Sequence, residues 1–408
     1  MNGLLAFADV MKTVGGIAVA IVILLTMITV HEFGHYIAGK ILGFKITEFS
    51  IGFGPAIFKK RSKKTGEQFA LRVVPLGGYC AFDGEDYEEE EESGERQEKE
   101  EPFPAFEQTE EAPLEKVQGK SCEEDYPEPK GAKFNDQPPW KRIIVLVSGA
   151  LMNYVLALIL LLIMVGNYGV PMCIALPVGY KNGDDVPHAS WETEELSYGD
   201  ILLSVNGQEI SMITDCIDAL DGKKKGESVP AAVLRLKEDG YWHEKEVTLT
   251  LAEDGEFANM ADVEKLSAVM QVDIFTTAVK SGFWRTVGGA FDYSFEMGTS
   301  VLRSLGELVT GKLGTDAVGG PVTTITTTAQ AATTSPFSLL YIASFIGVNL
   351  AVFNLLPVPA LDGCKVIFCI IEWIRKKPVN RKVETMIHFV GIVVLFAFAI
   401  LVDVLHYL

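Results

Sequence analysis

His31 and His35 stand four residues apart with a glutamate between them, in the run His31-Glu32-Phe33-Gly34-His35. On a helix, positions i and i+4 share a face, so both imidazoles can reach one metal ion. A glutamate beside the first histidine can take a proton from a water that the metal activates, which is the chemistry of peptide hydrolysis. The pattern lies in an apolar run from about Val14 to Ala38. Each ionisable group at the centre of a bilayer costs at least ~2.5–3.5 kcal/mol on insertion scales. Three of them within five residues need a compensating partner, and a metal supplies it.

A catalytic zinc has three protein ligands and one open position. The third ligand must come from elsewhere, and the remaining four of the six histidines are scattered singly. Asp362 is the better candidate. It lies near the end of Asn354-Leu355-Leu356-Pro357-Val358-Pro359-Ala360-Leu361-Asp362-Gly363, which continues an apolar run. Two prolines one residue apart cannot continue a helix. Irregular backbone at membrane depth is tolerated only against protein or a water-filled cavity, so a broken helix carrying a carboxylate suits a metal site.

The elements that must hold these residues are membrane spans. Nearly half of the 408 residues are apolar. Four stretches reach the ~20 apolar residues a span needs: about Val14–Ala38, Ile143–Val165, Pro336 to the Asn354 region, and Thr385–Val402. Lys40, Lys45, Lys59, Lys60, Arg61, Lys63 and Lys64 follow the first span. Lys141 and Arg142 precede the second, and Arg375, Lys376, Lys377, Arg381 and Lys382 separate the third from the fourth. Basic loops stay in the cytoplasm, so both termini and residues from about 167 to 330 are expected outside. The net charge of −19 is concentrated between Asp83 and Lys130, which carry 20 acidic and 5 basic residues. That acidity excludes nucleic acid as a partner, and the Glu- and Pro-rich composition reads as a solvated, disordered insert. No cysteine pair has C-x-x-C spacing, and Cys173 and Cys216 are read as free thiols.

The two signatures, H-E-x-x-H and N-x-x-P-x-P-x-L-D-G, resemble those of the site-2 protease family of intramembrane zinc metalloproteases, in its bacterial regulator of sigma-E protease type. The resemblance implies one Zn²⁺ held by His31, His35 and Asp362, with Glu32 as general base and Asn354 near the metal holding the freed substrate backbone. Gly52-Phe53-Gly54 resembles the family's G-F-G in a β-hairpin that dips into the membrane and contacts substrate. Trp140-Lys141-Arg142 through Asn153, and Gly319-Gly320-Pro321-Val322, match further segments, while Gly149-Ala150 stands where the family often has Gly-Pro. The implied substrates are membrane-spanning proteins, such as an anti-sigma factor already trimmed outside by another protease, in a bacterial plasma membrane.

Tyr198-Gly199-Asp200-Ile201 through Asn206-Gly207 gives a turn, an alternating strand and an Asn-Gly turn, resembling a PDZ domain. The expected fold is therefore a multi-pass α-helical membrane protein with four transmembrane helices, a membrane-associated β-hairpin loop and one extracytoplasmic PDZ-like domain. The expected divisions are 1–43 (first span), 44–82 (hairpin), 83–137 (acidic insert), 138–167 (second span) and 168–256 (PDZ-like domain). An extracytoplasmic linker with an amphipathic helix covers 257–335, the third span 336–370, and a cytoplasmic loop with the fourth span 371–408.

Overall fold

The computed structural model describes residues 2–85, 126–181, 183–186, 190–259, 262–280, 282–313 and 319–407. Among the described residues, four helices are long and apolar enough to cross a membrane: Val10–Leu42, Pro139–Tyr168, Pro336–Leu355 and Arg381–Leu405. The first lies in α1 (Asn2–Leu42). After α1 the chain turns through Gly43 at φ 79° into the first strand. The second span, α2 (Pro139–Tyr168), begins with proline, whose missing N–H costs nothing in a first turn. Its end is capped by Gly169 at φ 118°. The third, α7 (Pro336–Leu355), starts on Ser335, whose hydroxyl accepts the Ser338 N–H at 3.0 Å. It stops ahead of Pro357 and Pro359, and the chain restarts as α8 (Asp362–Arg375). The fourth is α9 (Arg381–Tyr407).

Small residues let α1, α2 and α7 approach closely. A Cβ on Gly34 would lie 2.4 Å from the Ser148 carbonyl oxygen of α2. One on Gly347 would lie 2.9 Å from Ala157 Cβ. Lipid offers no hydrophobic drive between helices, so such close packing is what holds them together.

Between α1 and α2, β1 (Ile46–Arg61) and β2 (Gln68–Phe82) form the hairpin expected from the Lys63-Lys64-Thr65-Gly66 turn. Each strand bends midway, β1 through Gly52 and Gly54 at φ 86° and 84°. The first half of β2 therefore pairs on one side with 58–61 and on the other with 48–51, while 46–51 also pairs with 78–82. Two strands thus make a small sheet of four passes. Its turn is tied to α1 by Glu67, 3 % exposed, which accepts from Tyr36 Oη at 3.1 Å and pairs with Lys40.

Residues 86–125, the bulk of the acidic insert, lie outside the described residues. The flanks assigned to that insert have defined structure instead. Ala132 bridges Phe44, and Phe134 is buried against Phe44 and Phe82 with ring centroids 5.4 and 5.5 Å away. An aromatic anchor in an otherwise polar stretch explains why composition alone extended the insert too far.

The segment after α2 is a β-domain. It comprises β3 (Val170–Leu176), β4 (Ile201–Val205), β5 (Gln208–Glu209), α3 (Ile213–Leu220), β6 (Ser228–Leu236), β7 (Trp242–Thr250), α4 (Val263–Met270) and β8 (Asp273–Val279). The sheet order is β7-β6-β4-β3-β8, with β5 on β4. Asn206-Gly207 makes the expected tight turn, with φ 52° and 79°. The sheet does not end at 256: β8 pairs along the whole of β3, and α4 closes the core with Leu266 and Val269. These elements were missed because a strand and an eight-residue helix so far from their partners carry little local signal. Cys173 and Cys216 are both free and fully buried in this core.

Beyond it, α5 (Phe283–Thr310) is the expected amphipathic helix. Tyr293 and Met297 are buried, while Trp284 and Phe295 are 82 % and 67 % exposed. Tyr154 Oη on α2 and Ser294 Oγ share a hydrogen bond of 2.8 Å. A further helix, α6 (Pro321–Thr334), was not expected; its threonines mask helical periodicity.

One buried ion pair organises the β-domain. Arg235, 1 % exposed, donates to both Asp200 oxygens at 2.7 and 2.6 Å and to the carbonyls of Ser190, Thr193 and Glu195. Removing one partner strands a buried charge. Arg235→Ala should therefore destabilise the domain by about 3–5 kcal/mol, measured as an earlier unfolding transition of the full-length protein and faster proteolysis within 190–250.

Candidate metal centre

Three atoms converge where α1 meets the start of α8. His31 Nε2 lies 3.0 Å from Asp362 Oδ2, His35 Nε2 lies 3.3 Å from it, and the two Nε2 atoms are 3.1 Å apart. Tetrahedral zinc bonds of ~2.0–2.1 Å place neighbouring ligand atoms about 3.3 Å apart, so this triangle fits one zinc ion. Both histidines are nearly buried, at 9 % and 7 % exposure.

The surroundings fix the rings for that role. His35 Nδ1 donates to the Val145 carbonyl at 2.8 Å, leaving the Nε2 lone pair for a metal. His31 Nδ1 lies 3.5 Å from Asn153 Nδ2 and 3.4 Å from Asn354 Nδ2, and Asn153 Oδ1 is buried without a partner among the described residues. Turning the Asn153 amide over sets its oxygen against an Nδ1–H and frees His31 Nε2 for a metal. Asn354 therefore sits beside the His31 ring.

The turn that delivers Asp362 is tight. Ala360 has φ 82°, a left-handed conformation unusual for alanine. Its N–H donates to His388 Nδ1 on α9 at 3.1 Å. A Cβ on Gly363 would lie 2.3 Å from the Leu356 carbonyl oxygen, so only glycine fits there.

A cavity of about 340 Å³ lies beside the converging groups, lined by Glu32, His35 and Asp362 and by Tyr79, Cys80, Ala81 and Phe82 of β2. The Glu32 carboxylate lies against the Cys80 backbone. Among the described residues, 79–82 pairs on one side only, with β1. Its other edge faces Glu32 and the cavity and meets no further strand among the described residues. Gly52, Phe53 and Gly54 do not line this cavity; they form the bend of β1, with Phe53 47 % exposed and stacked on Tyr79. Sequence reasoning thus pointed to the bend, whereas the strand beside the glutamate is 79–82. Register across the folded hairpin, which decides this, is invisible in a linear pattern. At 1.5 Å per residue, His35 and His31 lie about 10 and 17 Å inside the end of α1.

Helices long and apolar enough to span a membrane, and a zinc-fitting triad built from two histidines of the first span and the aspartate that begins α8, with a glutamate beside the first histidine, define a membrane-embedded zinc peptidase. The chain belongs to peptidase family M50, whose model matches residues 19–398. It is similar to the regulator of sigma-W protease RasP of Bacillus subtilis, 29 % identical over 91 % of this chain and 93 % of that protein. It is also 31 % identical to a putative zinc metalloprotease of Clostridium perfringens over 93 % of this chain and 94 % of that one. A zinc metalloprotease RasP of Geobacillus kaustophilus is 26 % identical over 94 % of this chain and 96 % of that one. The protein is an intramembrane zinc metalloprotease.

Gly149 of α2, noted in the sequence only as part of the Gly149-Ala150 pair, lies against both imidazoles. A Cβ there would lie 2.4 Å from His35 Nε2 and 2.8 Å from His31 Cε1. Gly149→Ala should displace the imidazoles and cut zinc affinity and activity by about tenfold or more, read by metal analysis after dialysis against a weak chelator and by cleavage assay.

Proposed function

We propose that His31 Nε2, His35 Nε2 and the Asp362 carboxylate hold the zinc and that Glu32 is the general base, for cleavage of an unwound segment of a membrane-spanning substrate. The observation that carries this is the convergence of the three ligand atoms within 4.8 Å of one another on the cavity that Glu32 lines. Zn²⁺ supplies Lewis-acid polarisation of the scissile carbonyl and a lower pKa for the attacking water. Glu32 takes that water's proton and passes it to the leaving amine. Asn153 and Asn354 are positioning residues for His31.

A substrate helix must unwind before its carbonyls are available, and the exposed edge of 79–82 offers the freed backbone hydrogen-bonding partners beside the base. The bend at Gly52-Phe53-Gly54 supports that strand from below. Water reaches the cavity past the Lys365–Glu85 ion pair (2.7 Å) at its polar end.

The basic loops argue for both termini and the β-domain outside the cytoplasm. The β-domain, with its Gly199-Asp200 turn, short α3 and antiparallel sheet, is read as PDZ-like. Set across the bilayer from the metal, it filters substrates by the bulk of their outer portion. The sigma-W regulator named among the relatives suggests a trimmed anti-sigma factor as substrate, in a bacterial plasma membrane.

Glu32→Gln should retain zinc and lose at least about 100-fold in cleavage rate, whereas Asp362→Asn should lose both zinc and activity. Metal analysis and fragment detection on a purified membrane-spanning substrate distinguish the two. Wild-type turnover by zinc-loaded Glu32→Gln would overturn the assignment of the base.

Orientation is tested by introduced thiols, because native Cys173 is buried and its thiol is pushed up to about 12 by that burial. In intact cells, Tyr241→Cys, at a site 71 % exposed, should react with an impermeant maleimide, and Lys63→Cys only after lysis. The reverse pattern would invert the topology.

A further inference from the structure

A second cavity, of about 350 Å³, lies between α2, α8 and α9, at the ends of these helices near their basic loops. Arg142, only 1 % exposed, is on its wall. Its Nη2 donates to Glu372 Oε1 at 2.7 Å, but Nε and Nη1 are buried and meet no acceptor among the described residues. His388 lines the same cavity. Because its Nδ1 accepts the Ala360 N–H, the neutral ring carries its proton on Nε2. That Nε2 is also buried with no acceptor among the described residues. Two residues of the cavity wall thus hold three buried donors, and Asn135 of the same wall holds one buried acceptor, Oδ1, none with a partner among the described residues. The donors outnumber it, and they forfeit their hydration unless further acceptors meet them.

The surrounding charges are already matched. Lys365 pairs with Glu85 at 2.7 Å, Arg381 with Glu384 at 2.8 Å, and Arg142 with Glu372. The demand is therefore for oxygen acceptors at particular atoms and not for bulk countercharge. Beside the polar Asn135 and Thr385, one side of the wall is apolar: Leu146, Phe389 and Ile392 line it, and the last two are 66 % and 46 % exposed on the face of a membrane-spanning helix. Depth completes the argument. Arg142 is in the first turn of α2 and Arg381 begins α9, which sets the Arg142 end of the cavity at the level of lipid headgroups, while His388, Phe389 and Ile392 lie deeper along α9, toward the hydrocarbon.

We propose that this cavity binds the phosphate of a membrane phospholipid, with Arg142 and His388 donating to its oxygens and an acyl chain lying along α9 past Phe389 and Ile392. Free phosphate shares the headgroup chemistry but cannot use the apolar wall. The assignment requires that α2 and α9 cross a bilayer and does not depend on the peptidase mechanism. The cavity shares Glu85, Leu146 and Lys365 with the active-site cavity, and His388 also braces Ala360, two residues before Asp362. A bound lipid would therefore brace the corner that delivers the aspartate.

The test uses the full-length protein, delipidated in detergent and titrated with phosphatidylglycerol, diacylglycerol or inorganic phosphate, with occupancy read by native mass spectrometry. One phosphatidylglycerol should be retained per chain, with diacylglycerol and inorganic phosphate bound far more weakly. Arg142→Lys keeps a cation opposite Glu372 and removes the two unmatched guanidinium donors. His388→Asn keeps an acceptor for the Ala360 N–H and removes the Nε2 donor. Each should weaken phosphatidylglycerol binding by about tenfold while zinc content stays at the wild-type level. If Arg142→Lys fails to fold, His388→Asn decides. Equal lipid retention in wild type and His388→Asn would overturn the proposal. So would diacylglycerol binding as well as phosphatidylglycerol, and so would inorganic phosphate binding tightly without lipid, which would make the ligand a soluble anion.

Discussion

Two imidazoles and two carboxylates, those of His31, His35, Glu32 and Asp362, are gathered within apolar helices, and the cost of putting them there shapes everything nearby. A zinc ion repays that cost only if the donors converge and their far sides are satisfied. The Val145 carbonyl behind His35 and the Asn153 and Asn354 amides behind His31 meet the second condition. Convergence requires α1 and α2 almost in contact, and Gly34 and Gly149 permit it. It also requires a carboxylate to enter from a helix that has stopped at membrane depth, which the Pro357-Pro359 turn and its strained Ala360 provide.

The same constraint explains the sheet between α1 and α2. A metal site buried among helices alone would leave no room for an extended substrate. The folded hairpin lays 79–82 beside Glu32, and Glu67 fastens its turn to α1 at Tyr36, next to His35, and at Lys40, a helical turn further on. Reaction site and strand edge are thus parts of one rigid unit. The β-domain is built on an independent core around Arg235–Asp200 and, among the described residues, contributes no donor to the metal centre.

What could be read from the sequence followed the range of the physics. The spans declared themselves because hydrophobicity over some twenty residues is a summed property, and all four appear where expected. His31, Glu32, His35 and Asp362 were legible because ionisable groups in such runs are conspicuous. Residues that work through shape or register were not. Gly149 is one glycine among 38, and nothing local says that two imidazoles lie against it. His388 reads as a lone interfacial histidine until α9 is packed against the Ala360 turn. Strand β8 and helix α4 lay beyond the expected domain boundary because their partners are up to a hundred residues away. The place of Asn354, beside the His31 ring, likewise depends on a helix rotation that sequence does not encode locally.

The central claim is that one zinc ion sits on two imidazoles and one carboxylate inside the membrane. X-ray absorption at the zinc edge, on the purified full-length protein, tests it most directly. The account predicts a light-atom shell at ~2.0–2.1 Å, with two imidazoles in the wild type, one in His35→Ala, and no sulfur in either. A shell with three imidazoles, a sulfur contribution from a cysteine, or a spectrum unchanged in His35→Ala would contradict it.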